Sequence, residues 1–125
     1  MLRTLIVAAC AAIALAACTP KPVIPTAEQI SAAETALPAD PQVAAIYKRS
    51  CISCHTAVSS TAPIVGFAPA WQPRLEQGMA VLVQHARDGY KAMPAKGFCS
   101  DCSDQDLRSL IEFMSTPIPT SKEKS

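Results

Sequence analysis

From residue 42 onward the apolar side chains recur every three or four positions, and no alternating strand pattern appears. Val43, Ile46 and Tyr47 share one face of a helix that runs up to Cys51, with Asp40-Pro41 as its start. Leu75, Met79, Leu82, Val83 and Ala86 predict a second helix over 75–88, with Gly89 just past its end. Leu107, Leu110, Ile111 and Met114 match the i, i+3, i+4, i+7 template. Ser103 stands where that helix needs an N-cap, and Asp106 supplies an acidic third position. Pro117 and Pro119 stop it. The pattern therefore predicts an all-α domain over 42–116, with long connections at 56–70 and 89–102. A flexible tail is expected over 117–125.

The first residues follow a different logic. Arg3 precedes an uncharged apolar run from Leu5 to Leu15. A lone spanning helix needs about 20 apolar residues, so this run reads as a signal h-region. It ends in Leu15-Ala16-Ala17-Cys18, which resembles the bacterial lipobox. That resemblance implies a lipoprotein signal peptide over 1–17 and a lipidated Cys18 as the first mature residue. The alternative is an ordinary cleavage site, with Cys18 incidental. Cys10 falls inside the removed segment. Thr19, rather than Asp, implies sorting to the outer membrane. Several acyl chains on one cysteine would anchor stably, where one chain alone does not. Residues 18–41 carry Pro20, Pro22, Pro25, Pro38 and Pro41 and few large apolar groups, and so read as a linker. Thr26-x-x-Gln29, followed by Ile30, Ala33 and Leu37, allows a short, weak helix within it.

Composition sharpens this picture in two places. The chain has 125 residues, which argues for one domain and excludes a large multi-domain enzyme. Lys plus Arg is 11 against 10 for Asp plus Glu, so no charge surplus points to nucleic acid. Helices over 42–116 cannot build a generous core. Domains of about 70–80 residues rarely stand on apolar side chains alone. Something else must fill the middle.

Cys51-Ile52-Ser53-Cys54-His55 says what fills it. C-x-x-C-H is the attachment signature of c-type haem. The two thiols add to the haem vinyl groups, and the next residue is held beneath the iron. His55 then becomes the proximal axial ligand. A thioredoxin-like redox pair would need a βαβ setting, and a structural zinc site would need two more ligands. The other axial ligand must come from further along the chain. Met93 stands in Tyr90-Lys91-Ala92-Met93-Pro94, beyond the Gly89 helix stop, on a loop that Pro94 stiffens. Met79 and Met114 fit apolar helix faces and read as core. The rivals are a five-coordinate iron with Met93 as packing, or ligation by His85. His/Met ligation fills both axial positions and suits outer-sphere electron transfer.

With these residues in place, the chain resembles the class I monohaem cytochromes c, most closely the cytochrome c5 family. The likeness covers about 42–115. It rests on Tyr47-Lys48-Arg49-Ser50-Cys51, C-I-S-C-H at 51–55, Ala62-Pro63, Ala70-Trp71-x-x-Arg74 and Gly78-Met79. Met93-Pro94-x-Lys96-Gly97 and Cys99-Ser100-Asp101-Cys102-Ser103-Asp104 complete it. The resemblance implies a small helical domain wrapped around one covalent haem c. It implies that the Pro63 carbonyl meets the free ring nitrogen of His55. Thr61 departs from the glycine usual before Ala-Pro. Cys99 and Cys102 lack a following histidine. Exported cysteines this close usually pair, and the resemblance implies a disulfide too; a catalytic C-x-x-C is the rival. Trp71 is expected to flank the haem. Arg74 either meets a propionate or is solvated. Lys91 and Lys96 either form a weak positive ring around the haem edge or are simply solvated.

The function expected is a periplasm-facing, membrane-anchored, monomeric cytochrome that carries single electrons between periplasmic or envelope redox proteins. It would be an electron-transfer protein and not an enzyme, and would bind no nucleic acid. The alternatives are a haem-based sensor or peroxidase-like enzyme with an open iron site, and a thiol–disulfide protein using Cys99 and Cys102.

Overall fold

The computed structural model describes residues 23–120. Its first helix, α1, spans Ala27–Thr35, and α2 spans Pro41–Ser50. One turn, α3, covers Ile52–His55. Helices α4 (Ala68–Leu75) and α5 (Met79–Asp88) follow. A 3₁₀ turn at Ala95–Phe98 leads to the last helix, α6, at Asp104–Ser115. Among the described residues there is no strand, only an isolated backbone bridge between Tyr90 and Met93.

The caps that begin the two framing helices are those the sequence predicts. The Asp40 carboxylate accepts the N–H groups of Gln42 at 2.8 Å and Val43 at 3.1 Å, and Pro41 occupies the first turn where no N–H is needed. At α6 the Ser103 hydroxyl accepts the Asp106 N–H at 3.2 Å, while the Asp106 carboxylate accepts the Ser103 N–H at 2.9 Å. Helix α6 then buries Leu107, Leu110, Ile111 and Met114. It packs on α2, α4 and α5. Tyr47 of α2 meets Phe113 of α6 edge to face, with ring centroids 5.0 Å apart. Tyr47 is wholly buried and its hydroxyl has no partner, so burial pushes its pKa up to about 12.

Three expectations change. The helix expected over 75–88 is two helices. Gly78 stands between them at φ 92, a conformation open to glycine, and breaks the run. Leu75 therefore ends α4 and is exposed rather than starting the buried face of α5. The 56–70 connection is correspondingly shorter, since α4 begins at Ala68. The stretch read as linker contains a true capping box, in which Thr26 and Gln29 exchange bonds at 3.3 and 2.9 Å. The helix that follows places Ala33, fully buried, in the common core.

The third change lies at the other end. Ile118, in the segment read as a flexible tail, packs over Gly66. A Cβ at Gly66 (φ 72) would lie 2.5 Å from Ile118 Cγ1, and the Gly66 N–H donates to the Met114 carbonyl at 2.8 Å. Glycine is needed there for its backbone angle and for the close approach. The signal segment, Cys10, Cys18 and residues 121–125 lie outside the described residues. No helix among the described residues is long and apolar enough to cross a membrane.

Two outcomes follow from these contacts. Gly66→Ala should destabilise the protein by about 1–3 kcal/mol, read by urea unfolding. Ile118→Ala in that background should recover only part, because the strained φ remains. Asp106 titrates below its ordinary value of 3.8, chiefly because the Ser103 side chain bonds its charged form. Its contribution is therefore full above that ordinary value and is lost as pH falls through the lower folded value. The stability gap between wild type and Asp106→Ala should be constant above about pH 5 and close towards about pH 2. An unchanged gap at acid pH would contradict this role.

Candidate functional site

The turn α3 sits at the end of α2 and carries the C-x-x-C-H residues. Cys51 caps α2 with its N–H on the Tyr47 carbonyl at 2.9 Å, and its own carbonyl accepts the His55 N–H at 3.1 Å. On this turn both thiols are free, with Cys51 buried and Cys54 exposed. Burial pushes the Cys51 thiol up to about 11, with Arg49 acting against the shift. Cys99 and Cys102 have the same spacing, yet they form a disulfide with Cα atoms 5.4 Å apart. There the chain makes a reverse turn, with the Cys102 N–H on the Cys99 carbonyl, and both sulfurs face each other in the core.

His55 is nearly buried, at 7% exposure. Its Nδ1–H donates to the Pro63 carbonyl at 2.9 Å. A carbonyl can only accept, so the proton sits on Nδ1 and the lone pair of Nε2 is left for a metal. Burial lowers the pKa of the ring, and the Arg74 charge lowers it further against the pull of the Pro63 bond. The neutral imidazole is the ligating form. The residues after Pro63 add to the same clamp. The Ile64 carbonyl accepts the Trp71 indole N–H at 2.8 Å, and the Val65 N–H donates to the His55 carbonyl at 2.9 Å. Trp71 lies almost parallel to His55, ring centroids 6.0 Å apart. Sequence reasoning found Pro63 and Trp71 and missed Ile64 and Val65, which act through backbone atoms that any residue carries.

These groups face a cavity of about 660 Å³ lined by Cys51, Cys54, His55, Pro63, Trp71 and Met93. Cofactor sites are commonly about 300–1,000 Å³ and mostly apolar. Leu82, Leu107, Leu110 and Met114 supply apolar wall. The donor set fits a covalently held haem: two free thiols beside one turn, a neutral imidazole and a thioether, all on residues that line one cavity. A second cavity, about 470 Å³ between α5 and α6, is lined by Arg87, Asp104 and Arg108 and offers no thiol or imidazole. Among the described residues no three His, Cys, Asp or Glu side chains group as metal ligands.

Met93 is delivered by a tight turn. The Tyr90 N–H donates to the Met93 carbonyl at 3.0 Å and the Met93 N–H to the Tyr90 carbonyl at 2.9 Å. Around it the backbone is strained. Among the described residues, the non-glycine residues at positive φ are Lys91 (54°), Lys96 (55°) and Phe98 (64°), all flanking Met93. Such a conformation costs roughly 1–2 kcal/mol per residue. Lys96 offsets it by donating from Nζ to the Ser100 and Cys102 carbonyls at 3.2 and 2.9 Å, tying the methionine loop to the disulfide turn. Lys91 sits with Nζ 5.3 Å above the Tyr90 ring. His85, the rival ligand, lines the cavity but stacks on Tyr90 at 4.0 Å. Arg74 also lines the cavity, and its guanidinium donates to the Ala70 carbonyl. Met79 and Met114 pack in or against the core.

One cross-link was not singled out from sequence. Arg49 Nη2 bonds the Asp101 carboxylate at 2.8 Å and lies 3.3 Å from the Cys99 sulfur. It joins the end of α2, just before the motif, to the disulfide turn. Its place beside Cys51, and the aspartate between the second cysteine pair, are the only signals that could have pointed to it.

The chain is similar to several known proteins. A family model described as cytochrome c oxidase, cbb3-type, subunit III matches residues 38–114. Cytochrome c5 of Ectopseudomonas mendocina is 40% identical over 72 residues, covering 56% of this chain and 83% of that protein. Cytochrome c-555 of Chlorobaculum tepidum is 39% identical over 74 residues, covering 56% of this chain and 68% of that protein. A cytochrome c solved in an electron transfer complex with nitrite reductase is 32% identical, with a TM-score of 0.55, and covers 61% of this chain and 93% of that one. The protein thus belongs to the monohaem class I c-type cytochromes, electron-transfer proteins that hold one covalent haem c through the cysteine pair that stands here at Cys51 and Cys54.

Proposed function

We propose that this cytochrome works on the periplasmic side of a bacterial envelope, held to a membrane by lipid on Cys18. There it passes single electrons between redox proteins, with His55 and Met93 as the residues that would hold the haem iron. The observation that carries the electron-transfer reading is that both donors line one apolar cavity. His55 offers a neutral ring locked by Pro63, and the Tyr90–Met93 turn offers a thioether. Bound haem supplies a one-electron couple, with iron alternating between Fe(III) and Fe(II).

The chain's own residues do the rest. Cys51 and Cys54 would hold the cofactor covalently from the start of one turn, α3. Pro63, Ile64 and Trp71 hold His55 in one tautomer and one plane. Leu82, Leu107, Leu110 and Met114 keep water out. Lys96 and the Cys99–Cys102 bridge hold the Met93 loop against the opposite face. With His55 and Met93 both holding it, a bound haem iron would have no place left for a substrate. Such a site exchanges electrons and does little bond chemistry, which disfavours the sensor and peroxidase-like readings. The described relative in complex with nitrite reductase supports redox enzymes as partners, met through small, transient interfaces.

Anchoring rests on the Leu15-Ala16-Ala17-Cys18 sequence, and Thr19 favours the outer membrane. From α1 outward the chain folds onto the domain, so the tether proper is the stretch between Cys18 and Thr26.

Met93→Ala should open one axial position. The reduced variant should bind carbon monoxide readily, where wild type resists it, and the oxidised variant should lose the weak far-red iron–methionine band. Retention of that band would show that Met93 is not the ligand. Cys18→Ser should move the protein from the membrane pellet to the soluble periplasmic fraction and abolish fatty-acid labelling. Labelling that persisted would rule out lipid attachment at Cys18.

A further inference from the structure

We propose that the bilayer that holds Cys18 is also a contact surface of the folded domain, with Val23 and Ile24 buried in its interfacial region. The inference rests on the lipid-anchor reading above. It adds a face of the domain and the chemistry of what covers that face.

The first argument is reach. Ala33 is fully buried in the common core and Ala36 packs against that core, so α1 belongs to the domain and not to the tether. The stretch from Cys18 to Val23 spans at most about 18 Å when fully extended, at 3.3–3.6 Å per residue. A domain of about 100 residues has a radius of gyration of about 13 Å. A lipid on Cys18 therefore keeps Val23 within roughly one molecular radius of the bilayer surface, whichever way the domain turns.

The second argument is exposure beside that surface. Val23 is 66% exposed and Ile24 77%. Neither lines the haem cavity, so a bound cofactor does not cover them. Single apolar residues scattered over a surface need no explanation. Here two are adjacent, on the segment that leads to the lipid. Directly after them, the Thr26–Gln29 capping box fixes the start of α1. A contact at Val23 and Ile24 is thus passed through a docked helix to the whole domain, and sets which side of it faces the bilayer.

The third argument is charge. Residues 19–40 carry Glu28, Glu34 and Asp40 against Lys21 alone. Anionic headgroups would not attract such a stretch. The contact it can make with a bilayer is apolar, through aliphatic side chains withdrawn from water at the boundary between headgroups and acyl chains. One acyl chain holds a protein only marginally, so a small apolar contact beside it changes the binding measurably.

The test uses the mature-length holoprotein, Cys18 to Ser125, made without lipid. With the haem thioethers and the Cys99–Cys102 bridge formed, Cys18 is its free thiol. A maleimide carrying one myristoyl-length alkyl chain is coupled there, and partition onto phosphatidylcholine vesicles is read by sedimentation. Val23→Ser combined with Ile24→Ser should weaken partition by about tenfold, the change expected for two aliphatic side chains partly withdrawn from water. Tm and midpoint potential should be unchanged. Val58→Ser combined with Leu75→Ser, which removes exposed apolar side chains elsewhere on the domain, should partition like wild type. Equal partition of wild type and the Val23/Ile24 variant would overturn the proposal. So would an equal loss in the Val58/Leu75 variant, which would make the effect one of general surface hydrophobicity. Much tighter, salt-sensitive binding to phosphatidylglycerol vesicles, unaltered by the serines at 23 and 24, would overturn it in favour of a charge-driven contact. A wild-type dimer lost in the Val23/Ile24 variant, with partition intact, would overturn it in favour of self-association. Fatty-acid labelling of the native protein tests the anchor separately. Labelled Cys18 with equal partition sinks the contact alone, whereas absence of label sinks the anchor and this inference with it.

Discussion

An apolar cavity of about 660 Å³ in the middle of so small a domain is the constraint that the rest of the structure answers to. Side chains lining a space that size lose contact partners on one side. The helices α2 and α6 can frame such a space but cannot close it. The cofactor is thus part of the core, and its binding energy is also folding energy, since a ligand that binds only the native state stabilises it by mass action. The chain spends its own contacts around the rim. Tyr47 locks on Phe113, Ile118 covers Gly66, and Arg49 clips α2 to the disulfide turn.

The two sides of the cavity are held in different ways. The histidine side is rigid through the backbone: three consecutive residues, Pro63 to Val65, each give one main-chain group to His55 or Trp71. The methionine side adds side chains and a disulfide to the Tyr90–Met93 backbone turn, across a loop whose backbone is strained at Lys91, Lys96 and Phe98. Rigid backbone bonding suits the ligand whose tautomer matters. A thioether has no proton to place, so Met93 needs only position, and a strained loop tied by Lys96 is enough.

Much of this was legible in the sequence, for physical reasons that can be named. Capping bonds are local, so Asp40 and Ser103 marked the starts of α2 and α6. The haem motif is local too, and so is the Tyr90–Pro94 loop. What depends on distant contacts was not legible. Periodicity ran through Gly78 because Leu75, Met79 and Leu82 keep helical spacing whether or not the helix is continuous. Ala33 carried no apolar weight to suggest that α1 docks. Ile118 lay between two prolines and read as tail, because nothing in the chain shows that Gly66 leaves room for it. The backbone angle of Phe98 could not be read at all, since the residue type argues against it.

The two C-x-x-C pairs show how little a spacing means by itself. Both have the same number of residues between the sulfurs, and both belong to one small domain. At 99–102 a reverse turn brings the sulfurs together; at 51–54 a helical turn leaves both thiols free beside one cavity, Cys51 buried and Cys54 exposed. Local backbone shape thus acts as a sorting device. It assigns one pair to cross-linking the chain and keeps the other chemically available.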